Sequence, residues 1–274
     1  MKAKKRWNVV RNIFIVLFTI IMFLPIYLLL VNTFKHGADI MGAPFALPHP
    51  FTLENLQNIF NDPHVDVLQM YLNTIFLTVF GTLVNVFISS LGSYYLVRSK
   101  TKLAKKLYMY FLLGLMVPFV IVYIPLVIIY RSVGLVGNMW ALIFVFAAAS
   151  CSFSTFMYCN FIKSVPRELE EAAIIDGATP LQTFYRIVWP LLKPCTTTVV
   201  IFVAAAIWND FLTPMLVGQV NTITVGIYTS IGPYTADWGR IFGFVFCGSV
   251  PIIVMYMFLQ KYFISGLTAG AVKG

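Results

Sequence analysis

Six apolar runs, each long enough to cross a bilayer, set the terms for this chain of 274 residues. They lie near 12–34, 71–97, 107–130, 138–162, 196–217 and 239–264, and a crossing takes about 20 predominantly apolar residues. Lipid offers no partner to a bare backbone N–H or C=O, so each run is predicted to be a helix. The expected fold is all-α: a polytopic membrane protein with six transmembrane helices in one transmembrane domain over 1–274. Composition agrees, because a soluble domain keeps roughly a quarter of its residues charged and here 11% are. Pro25, Pro118, Pro125, Pro214 and Pro251 fall inside the runs; in a membrane bundle, neighbouring helices can satisfy the carbonyls that proline frees. No small-residue cleavage site follows the first run, so it is expected to remain as a span.

Charge gives the orientation. The net charge is +9, but the basic residues lie between the apolar runs rather than along one face, which argues for membrane topology and against nucleic acid. All of the 19 lysines and arginines except Lys35, Arg131 and Arg240 fall on the side of the N-terminal tail. The positive-inside bias puts both termini in the cytoplasm, and six crossings independently require the termini to share a side. The four cysteines form no CxxC pair and have no histidine nearby, and the three histidines (His36, His49, His64) share one polar segment. Buried structural thiols are expected rather than a metal site or a disulfide framework.

Two connections on the other side are substantial. Residues 35–70 are rich in proline and aromatics, and 218–238 precede the last run. Loops this long usually do more than connect, and a contact surface is expected there.

On the cytoplasmic side, 163–194 read KSVPRELEEAAIIDGATPLQTFYRIVWPLLKP. Pro166 suits a first helical turn, with Ser164 ahead as a cap. Glu168, Glu170 and Glu171 follow where the helix dipole favours carboxylates, and Gly177 is the natural stop. Thr179-Pro180-Leu181-Gln182 then matches a capping box with proline in the first position, and Pro190 and Pro194 close the element. Two short helices joined by a glycine turn are predicted. A helix lying on the membrane would want lysine and arginine on its polar face; this one is acidic, and anionic lipid repels it. A protein partner is the better account, with Ala172–Ala173 allowing close approach, and Glu171 and Gly177 fixing orientation.

Those residues resemble a known pattern. Glu171-Ala172-Ala173, Gly177, Ile187 and Pro190 are similar to the EAA–G–I-L-P signature of membrane subunits of bacterial ABC importers. FIKSVPRELEEAAIIDGA around the signature, IWNDF at 207–211 and GLTAGAVKG at the C-terminus resemble the carbohydrate permeases of the maltose-permease type. Trp189 stands where that family usually has leucine. The resemblance implies a type I ABC importer permease fold with a coupling-helix loop over 163–195. It implies a subunit of an ATP-driven, binding-protein-dependent importer that moves a sugar or oligosaccharide across the prokaryotic cytoplasmic membrane. Glu170, Glu171, Ala172, Ala173, Asp176, Gly177, Ile187 and Pro190 would then contact a cytoplasmic ATPase, as would the tail residues Gly266, Leu267 and Gly270. The implied partners are a second permease subunit, two ATPase subunits that carry ATP and Mg, and an extracellular or periplasmic sugar-binding protein that meets 218–238. The chain itself has no G-x-x-x-x-G-K-[ST] loop to cradle phosphates, so it is expected to be no enzyme and to hold no cofactor.

Asp210 is the one ionisable residue deep in a run, about 20 Å from the cytoplasmic end of a straight helix. With Trp208 and Asn209 it is a candidate for the substrate path; the alternative is a structural polar group that holds helices together. An ion-coupled secondary transporter would want several such groups and related halves. An intramembrane protease would want a serine with a histidine base at membrane depth, and all three histidines lie outside the runs.

Overall fold

The computed structural model describes the backbone of residues 2–231 and 236–271, and the side chains of residues 7–8, 11–231 and 236–258. Among them the regular elements are helices, with one isolated antiparallel bridge between Ile231 and Ala236. We label the helices α1 (Lys2–Thr33), α2 (Asp39–Gly42), α3 (Glu54–Phe60), α4 (Val67–Arg98), α5 (Lys102–Gly114), α6 (Tyr123–Ser132), α7 (Met139–Ser164), α8 (Arg167–Ile175), α9 (Pro180–Leu191), α10 (Lys193–Asn209), α11 (Ile223–Thr229) and α12 (Trp238–Ala271). The chain packs as two compact units. One comprises residues 1–67 with 226–250, and the other 68–225 with 251–274.

Among the described residues two bent helix pairs bring the number of candidate membrane spans to six if each is one span, and four helices are long and apolar enough to cross in one piece: α1 from Arg11, α4, α7, and α12 as far as Phe258. The predicted spans near 107–130 and 196–217 differ from this. In the first, α5 and the segment Phe119–Ser132 meet at 97°. Pro118 explains the break: it removes a donor and disfavours helical backbone at the residue before it, and its own backbone is extended before the single turn Phe119–Val122. In the second, α10 stops at Asn209, Asp210 is extended, and a wide turn of π type covers Thr213–Gly218. Pro25 and Pro251, by contrast, sit inside continuous helices.

In the larger unit α4 and α7 run parallel and are stitched by small polar residues at one fixed offset. Asn85 donates from Nδ2 to the Ala147 carbonyl at 2.9 Å and accepts from the Ser154 hydroxyl at 2.6 Å. Ser89 meets Cys151 at 3.6 Å, and Ser93 donates to the Thr155 carbonyl at 3.3 Å. Positions 85, 89 and 93 advance one helical turn at a time, and each meets the residue 62 positions later. Small side chains let the backbones approach, and interhelical hydrogen bonds hold them without a hydrophobic driving force. Gly81 continues the seam toward α10, where a Cβ would sit 2.9 Å from Ile207 Cδ1. Tyr158, Val199 and Val203 are buried in the same core.

In the smaller unit the core is polar where α1 ends. A helix leaves its last carbonyls without partners; here the Asn55 amide supplies them, with Nδ2 at 3.2, 3.0 and 2.7 Å from the carbonyls of Asn32, Thr33 and Lys35. The Lys35 ammonium turns inward to Asn32 Oδ1 at 3.0 Å and the Ala43 carbonyl at 2.7 Å. Burial pushes the Lys35 pKa below the ordinary lysine value, against the opposing pull of Asp39. Asp62 pairs with Arg240 at 2.6 Å, and the Asp237 carboxylate caps α12 by accepting from the Arg240 N–H at 2.9 Å. Within the connection 35–70, residues 35–62 are folded and organised by Lys35 and Asn55.

Candidate functional site

The segment between α7 and α10 is built as its local chemistry predicts, with one change at the start. The backbone enters α8 from Pro166 as the cap residue, and no side chain caps it. Ser164, expected as the cap, instead donates to the Phe161 carbonyl at 2.7 Å, closing the turn behind it. Gly177 has φ +84° and open space around its Cα. Its need for glycine is thus a matter of backbone conformation, since other L-residues are disfavoured there. The capping box at Thr179 is complete: its hydroxyl accepts from the Gln182 N–H at 3.3 Å, and Gln182 Oε1 accepts from the Thr179 N–H at 2.8 Å.

The acidic residues of α8 divide into two kinds. Glu170 is the one buried side chain of the helix, 6% exposed. Its Oε1 receives Nε of Arg98 at 2.8 Å and Nη2 at 2.5 Å, and its Oε2 receives the Tyr94 hydroxyl at 2.9 Å. The same Nη2 reaches the Val165 carbonyl at 3.1 Å. A buried carboxylate persists when it is paired and its oxygens are hydrogen-bonded, and both conditions are met. Glu168, Glu171, Ala172, Asp176 and Gly177 are exposed, and Ala173 is half-buried. Among them stand large apolar side chains turned outward: Leu169, Ile174, Leu181 and above all Ile175, 86% exposed.

The second short helix anchors the arrangement. Its middle, Phe184–Val188, is a π turn that buries Phe184 and Val188. The Phe184 ring lies 5.2 Å from Tyr94 and 5.9 Å from Trp189. Trp189, the departure from the family pattern, thus extends an aromatic row beside the Arg98–Glu170 pair. Ile187 is half-buried and Pro190 exposed, and α9 meets α10 at 78°.

The three residues around the end of α10 have different surroundings. Trp208 is buried, and the exposed Asn209 donates to the Ala205 carbonyl at 2.8 Å. Asp210 is not in the interior of a helix; it follows α10 and caps the next turn. Its Oδ1 accepts from the Thr213 N–H at 3.1 Å, and its Oδ2 accepts from the Thr213 hydroxyl at 2.5 Å and the Tyr123 hydroxyl at 3.5 Å. Those bonds occupy both carboxylate oxygens. The residues Gly266, Leu267 and Gly270 lie outside the described side chains. Of the connection 218–238, Gln219 takes a left-handed backbone and Ile223–Thr229 is a helix.

Comparison with known proteins places this geometry. Residues 85–269 match the family described as "Binding-protein-dependent transport system inner membrane component". The chain belongs to that family. It is therefore a membrane-embedded permease subunit of an ABC importer, a transport component and not an enzyme. The "Multiple sugar-binding transport system permease protein MsmG" of Streptococcus mutans is 34% identical, with 93% of each chain covered. The "Melibiose/raffinose/stachyose import permease protein MelC" of Bacillus subtilis is 33% identical, with 92% of each covered. A chain in the crystal structure of a bacterial ABC transporter that imports the acidic polysaccharide alginate has the same fold, with a TM-score of 0.82 over 96% of this chain and 98% of that one, at 21% identity. The type I importer permease fold expected from the signature is the fold found.

The Glu170–Arg98 pair is the feature that sequence reasoning missed. Glu170 and Glu171 look alike in sequence, and the partner lies 72 residues away. An arginine in the last turn of an apolar helix was the one available signal.

Proposed function

We propose that this permease moves a sugar or oligosaccharide, and that the α8–α9 corner is its contact with a cytoplasmic ATPase. Both termini lie in the cytoplasm in this reading, which the lysine and arginine distribution supports. The complex holds a second permease subunit, two ATPase subunits with ATP and Mg, and a soluble sugar-binding protein on the far side. The substrate class rests on relatives named for sugars, one for melibiose, raffinose and stachyose and another for starch degradation products.

The observation that carries the docking reading is Ile175. A capped, rigid corner turns an isoleucine 86% exposed away from the chain, beside Glu171 and the Gly177 turn. Exposed apolar side chains rimmed by charge mark interaction surfaces. Glu171, Ala172, Ala173, Asp176 and Gly177 supply the contact, while Ile187 and Pro190 shape the helix behind it. Trp208, Asn209 and Asp210 enter as wall residues near the substrate path, with Asp210 held as a structural cap. The tail around Gly266, Leu267 and Gly270 adds a second ATPase contact.

The test uses the assembled complex with its binding protein. A photo-crosslinker at position 175 is expected to capture the ATPase, and one sugar from a panel of α-linked oligosaccharides is expected to stimulate ATP hydrolysis. Glu171→Lys is expected to abolish that stimulation with the subunit still in the membrane. Capture of lipid alone at position 175, with normal uptake by Glu171→Lys, sinks the docking reading; stimulation by no sugar sinks the substrate class.

A further inference from the structure

Glu170 is the only buried side chain of α8, and its partners stand on α4. Tyr94 and Arg98 are one turn apart on the same face of α4, in its last turn and the one before. Arg98 grips two things at once: the Glu170 carboxylate on α8 and the Val165 carbonyl at the corner where α7 ends. One guanidinium thus ties the ends of two membrane helices to the short helix beyond them. The aromatic row Tyr94–Phe184–Trp189 adds α9 to the same knot.

The rest of α8 offers little else to pull on. Its large apolar side chains Leu169, Ile174 and Ile175 face outward, so packing does not fasten the helix to the membrane body as it fastens α7 and α10. A load applied to the exposed face reaches α4 through a charge-assisted pair in which Nε and Nη2 of Arg98 converge on Oε1 of Glu170 while Tyr94 takes Oε2. Exposed ion pairs are screened and weak, whereas this one is shielded, with side-chain exposures of 15% for Arg98 and 8% for Glu170.

We propose that the Glu170–Arg98–Tyr94 cluster is the latch that transmits movement of α8 to α4 and α7, which makes Glu170 a positioning residue and not a docking carboxylate. This rests on the reading of the α8–α9 corner as the ATPase contact. The two neighbouring glutamates then divide the work: Glu171 faces the partner, and Glu170 holds the lever to the bundle. A latch that fails lets α8 follow the ATPase while the membrane helices stay behind. ATP is then consumed without transport, which a merely structural brace does not produce.

The complete complex in liposomes, with its binding protein and the stimulating sugar, gives the readout: sugar taken up per ATP hydrolysed, at equal amounts of assembled complex. Glu170→Gln keeps the size and removes the charge, and is expected to lower that ratio at least about fivefold with basal ATP hydrolysis retained. Tyr94→Phe keeps the ring on Phe184 and removes one hydrogen bond; a smaller fall in the same ratio is expected, and this variant decides if Glu170→Gln does not assemble. A wild-type ratio in the assembled variants overturns the latch, as does a loss of assembled complex with the ratio unchanged. Crosslinking from position 175 to the ATPase separates the two ideas. Its absence in the wild type overturns the docking reading, whereas its presence with an unaltered ratio overturns the latch alone.

Discussion

The α8–α9 corner and the α1–α4 connection solve the same problem in opposite ways. Each must hold a non-spanning segment against the ends of membrane helices. At the corner, α8 is held by one side-chain cluster, Glu170 with Arg98 and Tyr94, and leaves its large apolar side chains outside, while α9 beside it buries Phe184 and Val188. The connection uses several attachments: Asn55 on three carbonyls, Lys35 on the Asn32 side chain and the Ala43 carbonyl, and Asp62 on Arg240. The first is a point attachment, which lets a rigid helix act as a lever. The second spreads its attachment over many atoms, which suits a fixed platform.

The contrast breaks first at Arg98. Arg98→Ala leaves the buried Glu170 charge uncompensated, and breaking a buried pair from one side costs about 3–5 kcal/mol. Thermal unfolding of the purified subunit is expected to fall accordingly; an unchanged midpoint contradicts a point attachment. Asn55→Ala removes one amide from three carbonyls and is expected to cost about 1–3 kcal/mol. It should appear as faster hydrogen exchange confined to residues 28–62, with the α8–α9 corner unchanged.

The smallest effect concerns pH. The His64 N–H and then Arg240 hold the Asp62 carboxyl below its usual pKa. The unfolded chain therefore takes up that proton first on acidification. The contribution is fully present above the ordinary carboxylate value of about 3.9 and is lost as pH falls through the lower folded value. Unfolding between pH 7 and pH 5 should not reveal it. A decline below pH 4 that Asp62→Asn removes is the expected result, and an identical decline in both proteins refutes the assignment.

What the sequence made legible was what neighbouring residues decide. The Gly177 stop and the Thr179 box depend on residues three positions apart, and hydropathy marks the long helices without knowledge of their partners. The division between Glu170 and Glu171 depends on Arg98, which local pattern cannot reach. The breaks at Pro118 and Asp210 are a middle case, because averaged hydropathy runs smoothly through both. Yet each carried a local sign: a proline in one, and in the other an aspartate three residues before Thr213-Pro214, the spacing of a cap. The bonds from Thr213 and Tyr123 give Asp210 the structural role of a cap.

The constant offset between α4 and α7 has a consequence for how the protein is made. Among the described residues Asn85 finds its partners on α7, at Ala147 and Ser154. A ribosome adding roughly 5–20 residues per second delivers Ala147, 62 residues later, after roughly 3–12 seconds at those speeds. During that interval α4 carries an asparagine and several serines with no helix to answer them, in a solvent that cannot. The insertion machinery, or another early helix, has to shelter that face until α7 arrives. A slow stretch of translation between the two would lengthen the exposure, so the timing of synthesis becomes a property on which this seam depends.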